Sequence, residues 1–208
     1  MNKGFGMWYN KPVMSNLLRS TTATAMHIVC EYIKEMKSPV IVDATCGRGH
    51  DTLALAKAAA AAGDFRLFAF DIQEEAVAST LELLRAELPE SLDGRVQVIL
   101  ESNANINRYV NALDVAVFNL GYLPGGDKSI TTRASETAAA VTGAVDMLNV
   151  NGIIAVTMYS GHEEGAAEKE ALLKLLAELD SRRYHVAFVN LLNQHRNPPE
   201  TVFVTRKV

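Results

Sequence analysis

Short apolar stretches in this chain alternate with segments whose apolar residues recur at helical spacing. Over residues 24–37, Met26, Val29, Ile33 and Met36 return every three or four positions, which predicts an amphipathic helix closed by Pro39. The run Val40-Ile41-Val42 has no polar face, as a strand covered on both sides of a parallel sheet should not. A leucine- and alanine-rich helix starts near His50, and residues 65–70 read as the second strand. Residues 73–88 form a helix carrying Val77, Leu81, Leu84 and Leu88 on one face. The third and fourth strands are 96–100 and 115–118. The loop 119–130 holds Gly121, Pro124, Gly125 and Gly126 and is irregular by composition. A helix over 132–148 presents Ala138, Val141, Val145 and Leu148, and Asn151-Gly152 turns the chain into a fifth strand, 153–158. A helix over 163–179 aligns Leu172, Leu175, Leu176 and Leu179; two closing strands, 185–191 and 201–205, flank Pro198-Pro199. This order predicts an α/β fold with a seven-stranded, mostly parallel sheet and an antiparallel C-terminal hairpin strand.

Composition agrees with one domain, 1–208, whose residues 1–23 form an N-terminal extension without an assignable role. The chain is 49% hydrophobic and 21% charged, as expected of a globular protein. No apolar run approaches the ~20 residues of a membrane span, and the N-terminus lacks the apolar core of a secretory signal. The expectation is a cytoplasmic protein with no membrane partner. Two cysteines far apart and five histidines without ligand spacing predict no metal site. A net charge of −4 argues against a broadly basic nucleic-acid surface but leaves room for a local patch.

Ligands of open α/β sheets bind beyond the carboxyl ends of the strands. There the first strand ends in Asp43, followed by Thr45, Gly47, Gly49, His50 and Asp51. Gly47 and Gly49 can bring bare backbone against a ligand, and Asp43 can accept from a ligand's amino group. Asp71 ends the next strand and suits two ribose hydroxyls; Ile72 offers an adenine wall, with Gln73 beside it. A dinucleotide fingerprint would need a third small residue where Thr52 stands, and Asp51 would repel a pyrophosphate at the helix start. A sulfonium donor with an amino group, S-adenosylmethionine, fits the acidic loop better. Ser102, Asn103, Asn119 and Leu120, after the third strand and at the end of the fourth, complete the expected donor set.

The fourth strand runs into Asn119-Leu120-Gly121-Tyr122. This resembles a relaxed form of the Asn-Pro-Pro-Tyr motif of amino-group methyltransferases, which implies catalytic roles for Asn119 and Tyr122. An attacking amine gains positive charge, and the Asn119 carbonyl can accept its N–H bonds. A phosphate-binding loop over 121–129 is disfavoured because Asp127 precedes Lys128. Gly121, Tyr122, Lys128, Arg133, His162, Gln194 and Arg196 are the candidate substrate contacts, and Arg48, Lys128, Arg133 and Arg196 could together make a basic rim around the site.

Four segments, VDATCGRGHDTLALA (42–56), FAFDIQEEAV (68–77), FNLGYLPGGDKSITT (118–132) and YSGHEEG (159–165), with Asn193-Gln194 and Pro198-Pro199, resemble a bacterial family named for rRNA methylation. The resemblance covers about residues 24–207. It implies a class I S-adenosylmethionine-dependent methyltransferase of Rossmann-like fold, a fold that often forms homodimers. It implies methylation of the aminomethyl nitrogen of the tRNA wobble uridine, in the anticodon region, giving 5-methylaminomethyl-2-thiouridine. The chain departs from the family at residues 46–49, where Met-Gly-Asn-Gly is expected, and at Asn103, where histidine is common. Another RNA or a small-molecule amine as acceptor, or a nucleoside-binding module without transfer activity, are the alternatives.

Overall fold

The computed structural model describes residues 20–92, 94–121, 134–159, 163–194 and 197–208, with backbone alone at 134–135, 163–164 and 167–168. In chain order the elements are α1 (Thr21–Lys34), β1 (Val40–Asp43), α2 (His50–Ala62), β2 (Arg66–Asp71), α3 (Glu74–Glu87), β3 (Val96–Leu100) and β4 (Leu113–Leu120). They continue with α4 (Ala134–Met147), β5 (Leu148–Met158), α5 (Glu163–Ala177), β6 (Tyr184–Val189) and β7 (Glu200–Arg206). The seven strands lie in the order β3-β2-β1-β4-β5-β7-β6, and β7 runs antiparallel to both of its neighbours. Strand order reverses between β1 and β4, so the crevice outside their carboxyl ends is the switch point where ligands of such sheets bind.

Successive strand residues point to opposite faces, which divides the apolar runs between two cores. Ile41, Leu67, Val115, Val117 and Ile153 meet Val29 and Ile33 of α1 and Leu55 and Ala59 of α2. Val42, Phe68, Ala116, Phe118 and Ile154 meet Val141 and Val145 of α4 and Leu172 and Leu176 of α5. Each such Val, Leu, Ile or Phe side chain contributes about 1.5–3 kcal/mol of burial, so the polar face expected of a half-exposed strand is missing for a physical reason. At the opposite edge of the sheet from the crevice, Asp114 ties strands together. Its Oδ2 accepts from Val40 N at 2.8 Å and its Oδ1 from Asn149 Nδ2 at 2.8 Å. No helix among the described residues is long and apolar enough to cross a membrane.

Three local expectations change. The first helix begins at Thr21, because Ser20 caps it through Oγ accepting from Ala23 N at 3.1 Å. It ends at Lys34, ahead of Ser38 with its left-handed φ of 49°. Thr21 and Thr22 therefore belong to α1 and not to an extension. Asn151-Gly152 is no turn between elements: α4 runs directly into β5, and Asn151, at φ 63°, sits in an irregularity within that strand. The buried line of α3 is Ala76, Thr80 and Leu84, with Val77, Leu81 and Leu88 at its half-buried flanks. The helix is rotated because its small residues face the loop after β1, described next.

Candidate active site

The loop after β1 lies across the crevice and continues both adjoining strands. Ala44 N donates to Val117 O at 2.8 Å on the β4 side, and Cys46 N to Phe70 O at 2.9 Å on the β2 side. Gly47 (φ 53°) and Gly49 (φ 82°) take left-handed conformations that side chains resist, and Gly49 caps α2. A Cβ on Gly49 would stand 2.9 Å from Thr80 Cα, so α3 closes on bare backbone there. Thr80 Oγ1 adds a hydrogen bond to Gly47 O at 3.0 Å.

Asp43 is fully buried. Its Oδ2 accepts from Thr52 Oγ1 at 2.6 Å and its Oδ1 from Thr45 N at 3.1 Å. Burial pushes its carboxyl up to about 7, against the hydrogen bond from Thr52 and reinforced by the charge of Asp51. Both oxygens thus serve the loop's own shape. Asp71, at the end of β2, is half-buried and aimed by two backbone donors. Gly47 N reaches Oδ2 at 3.0 Å and Gln73 N reaches Oδ1 at 3.0 Å. Each oxygen keeps a further acceptor site. Ile72 beside it is 47% exposed.

After β3, Ser102 Oγ accepts from Ala104 N at 3.3 Å and caps the 3-10 helix Asn103–Arg108. Asn103 Nδ2 donates to Ala44 O at 3.1 Å, which fixes its amide and leaves Oδ1 buried without a partner. A buried acceptor left open in this way costs stability until a donor reaches it. The chemistry fits a nucleoside-bearing cofactor of the kind expected from the sequence: paired acceptors at Asp71 for vicinal hydroxyls, an exposed apolar face at Ile72, and an open acceptor at Asn103 for an amino group.

At the end of β4, Asn119 is held by the same loop. Its N–H donates to Thr45 Oγ1 at 2.8 Å, and its Nδ2 makes a short hydrogen bond to Asp51 Oδ2. Burial raises the Asp51 carboxyl above its ordinary value, opposed by the Asn119 hydrogen bond and the neighbouring His50 charge. His50 itself is exposed, in the first turn of α2. Leu120 turns the other way into the core, so only its backbone can face a ligand. Asn119 is in register with Thr157 of β5, so Gly121 and Tyr159, two residues further along each strand, continue on the same face. A Cβ on Gly121 would lie 3.1 Å from Tyr159 Cδ2; the aromatic ring rests on bare backbone there. Tyr159 Oη lies 3.4 Å from Thr22 Oγ1 in the first turn of α1.

The expected positions 43, 45, 47, 49–51, 71–73, 102–103 and 119–121 therefore gather around the carboxyl ends of β1 to β4. Gln194 is exposed, in the loop between β6 and β7, which leaves the sheet on the crevice side. Tyr122, Lys128, Arg133, His162 and Arg196 lie outside the described residues. Among the described residues, no group of three or more His, Cys, Asp or Glu is arranged to hold a metal ion. Thr22, Thr52, Thr80 and Tyr159 join the site although the sequence did not single them out for it. Only Tyr159 carried a signal, an aromatic at the end of a predicted strand.

The sequence model of the family described as "Putative rRNA methylase" matches residues 67–205, about two thirds of the chain. A chloroplastic tRNA (mnm(5)s(2)U34)-methyltransferase from Arabidopsis thaliana is 34% identical over 161 residues, 74% of this chain. The chain spans 58% of that relative's length. A crystal structure described as a "putative rRNA-methylase" from Clostridium thermocellum is 36% identical with a TM-score of 0.78, covering 88% of this chain and 97% of that one. A "putative methyltransferase" from Streptococcus mutans, solved in complex with SAH, is 30% identical with a TM-score of 0.74 at the same two coverages, 88% and 97%.

Proposed function

Because this chain belongs to the rRNA methylase family, we infer that it is an S-adenosylmethionine-dependent methyltransferase acting on the amino group of a 5-aminomethyl wobble uridine in tRNA. Its fold is that of class I methyltransferases, with one antiparallel strand at the C-terminal side of a seven-stranded sheet. The name of the Arabidopsis relative supports the acceptor. One observation carries the chemistry. The switch-point crevice offers a side-chain amide, Asn119, anchored at both its backbone N–H and its Nδ2 by the loop that also aims Asp71.

In this reading Asp71 holds the ribose hydroxyls, Ile72 lies against the adenine, and Asn103 Oδ1 accepts from the adenine amino group. The glycines at 47 and 49 let the donor approach the backbone. When bound, S-adenosylmethionine supplies an electrophilic methyl group on a sulfonium. Asn119 Oδ1 accepts an N–H of the acceptor amine and points its lone pair at that methyl. Transfer of that methyl group would leave the C–S electron pair on sulfur and build positive charge on the amine nitrogen that Asn119 Oδ1 faces. A preorganised carbonyl dipole stabilises charge that appears in this way. An amine attacks only when neutral, and a free alkyl amine titrates near 10. The site must therefore bind the neutral minority or lower the amine's pKa by excluding water.

The acceptor is tested by mass spectrometry of tRNA nucleosides from cells with and without the gene. Loss of 5-methylaminomethyl-2-thiouridine with accumulation of the unmethylated aminomethyl nucleoside is expected. An unchanged tRNA profile with a methyl group missing from rRNA would move the activity to the RNA for which the family is named.

A further inference from the structure

The hydrogen bond between Asp51 and Asn119 joins the first turn of α2 to the end of β4, 68 positions away in sequence. An ionised carboxylate only accepts, so Asp51 selects one of the two flip states of the Asn119 amide. The NH2 group must face Asp51, and Oδ1 must face away. Thr45 Oγ1 fixes the backbone of the same residue by accepting from Asn119 N at 2.8 Å. The contact is part-buried, where a charge-assisted hydrogen bond is stronger than in water. Free amides flip readily between states of similar energy, so an asparagine that must accept from a substrate needs such a partner.

The geometry points to Asp51 as a positioning residue: it holds the Asn119 amide so that Oδ1, and not Nδ2, meets the acceptor amine. This rests on the reading that an amine is methylated beside Asn119. Without Asp51 the amide can present its NH2 to the amine, where donor meets donor and the developing positive charge is repelled. The job needs a group at position 51 that only accepts, because an amide there could turn and donate to Asn119 Oδ1. A role in holding the donor's amino group is separated by donor affinity, which would then fall when the carboxylate is removed.

Single and double variants and NMR spectra test it. Asp51→Ala should lower kcat on aminomethyl-tRNA by about 10- to 100-fold, with S-adenosylhomocysteine affinity by calorimetry within about three-fold of wild type. Retained binding also reports that the variant is folded. Asp51→Asn, whose amide can donate as well as accept and so selects neither flip state, should lose kcat much as Asp51→Ala does. Asp51→Glu, which still only accepts, should keep kcat within about five-fold of wild type. In an Asn119→Ala background, Asp51→Ala should cost less than about three-fold, because the residue it positions is gone. Additive losses, wild-type kcat in Asp51→Ala or Asp51→Asn, or a ten-fold or greater fall in donor affinity would each overturn the proposal. In NMR spectra of the RNA-free protein, the Asn119 Nδ2 proton facing Asp51 should lie downfield in wild type and Asp51→Glu, and shift back in Asp51→Ala. A wild-type enzyme inactive on aminomethyl-tRNA would sink the acceptor reading by itself. The amide resonance then decides the positioning alone: loss in Asp51→Ala with retention in Asp51→Glu upholds it, and no change overturns it.

Discussion

At the scale of single residues, the crevice is acidic by construction, and Asp43 carries the largest physical burden. It is fully buried, and its carboxyl is pushed up to about 7 chiefly by that burial. Below its ordinary value near 4, Asp43 is protonated in both the folded and the unfolded chain and exerts no pH-dependent effect. Between about 4 and about 7 the unfolded chain releases the proton while the folded chain keeps it, so stability falls as pH rises through that window. Above about 7 both forms are ionised, and the full cost, on the order of a few kcal/mol, is carried by the fold. Urea unfolding at pH 5 and pH 8 should thus show a loss of stability in the wild type that Asp43→Asn largely removes. An identical pH dependence in the two proteins would mean the carboxyl ionises in place without penalty. Asp71 and the two glycines were legible because strand-end acids and left-handed turns declare themselves locally. The Asn103–Ala44, Asn119–Thr45 and Asn119–Asp51 hydrogen bonds join residues 59 to 74 positions apart, a coupling that no local pattern encodes.

At the scale of elements, the strands were read well, since an apolar run covered on both faces has one physical explanation. β3 falls where the sequence put it, and β1 extends the apolar run only to Asp43. Helix faces were harder. The α3 pattern pointed to Val77, Leu81, Leu84 and Leu88, of which Leu84 is buried, but contact with Gly49 selects the small side chains Ala76 and Thr80 for the rest of the innermost line. The start of α1 was missed because Ser20, a strong capping residue, precedes two threonines with little helical signal of their own. The Gly49 contact predicts an asymmetry between two glycine substitutions. Gly49→Ala combines a left-handed φ with a Cβ 2.9 Å from the Thr80 backbone, and should destabilise by about 2–4 kcal/mol. Gly143→Ala, within α4 and with nothing within 4 Å of the added methyl, should stabilise by up to about 1 kcal/mol. Denaturant midpoints measure both. Equal effects would mean that α3 does not close on the loop as described.

At the scale of the whole molecule, seven strands and flanking helices bring the ends of β1 to β4 into one crevice, β3 leading to the open acceptor of Asn103. β1 supplies the loop, β2 the paired acceptors of Asp71, and β4 the anchored amide of Asn119. The net charge of −4 does not by itself recommend an RNA substrate. Specificity in this account comes from the chemistry of the acceptor: a wobble uridine without the aminomethyl group offers no amine to attack. Methyl transfer to two preparations of the same tRNA, one carrying 5-aminomethyl-2-thiouridine and one transcribed in vitro without modification, tests this most directly. The account predicts transfer to the modified tRNA alone, with kcat/KM rising with pH through neutrality as the amine loses its proton. Equal methylation of both preparations would contradict it and move the target to a carbon or ring nitrogen.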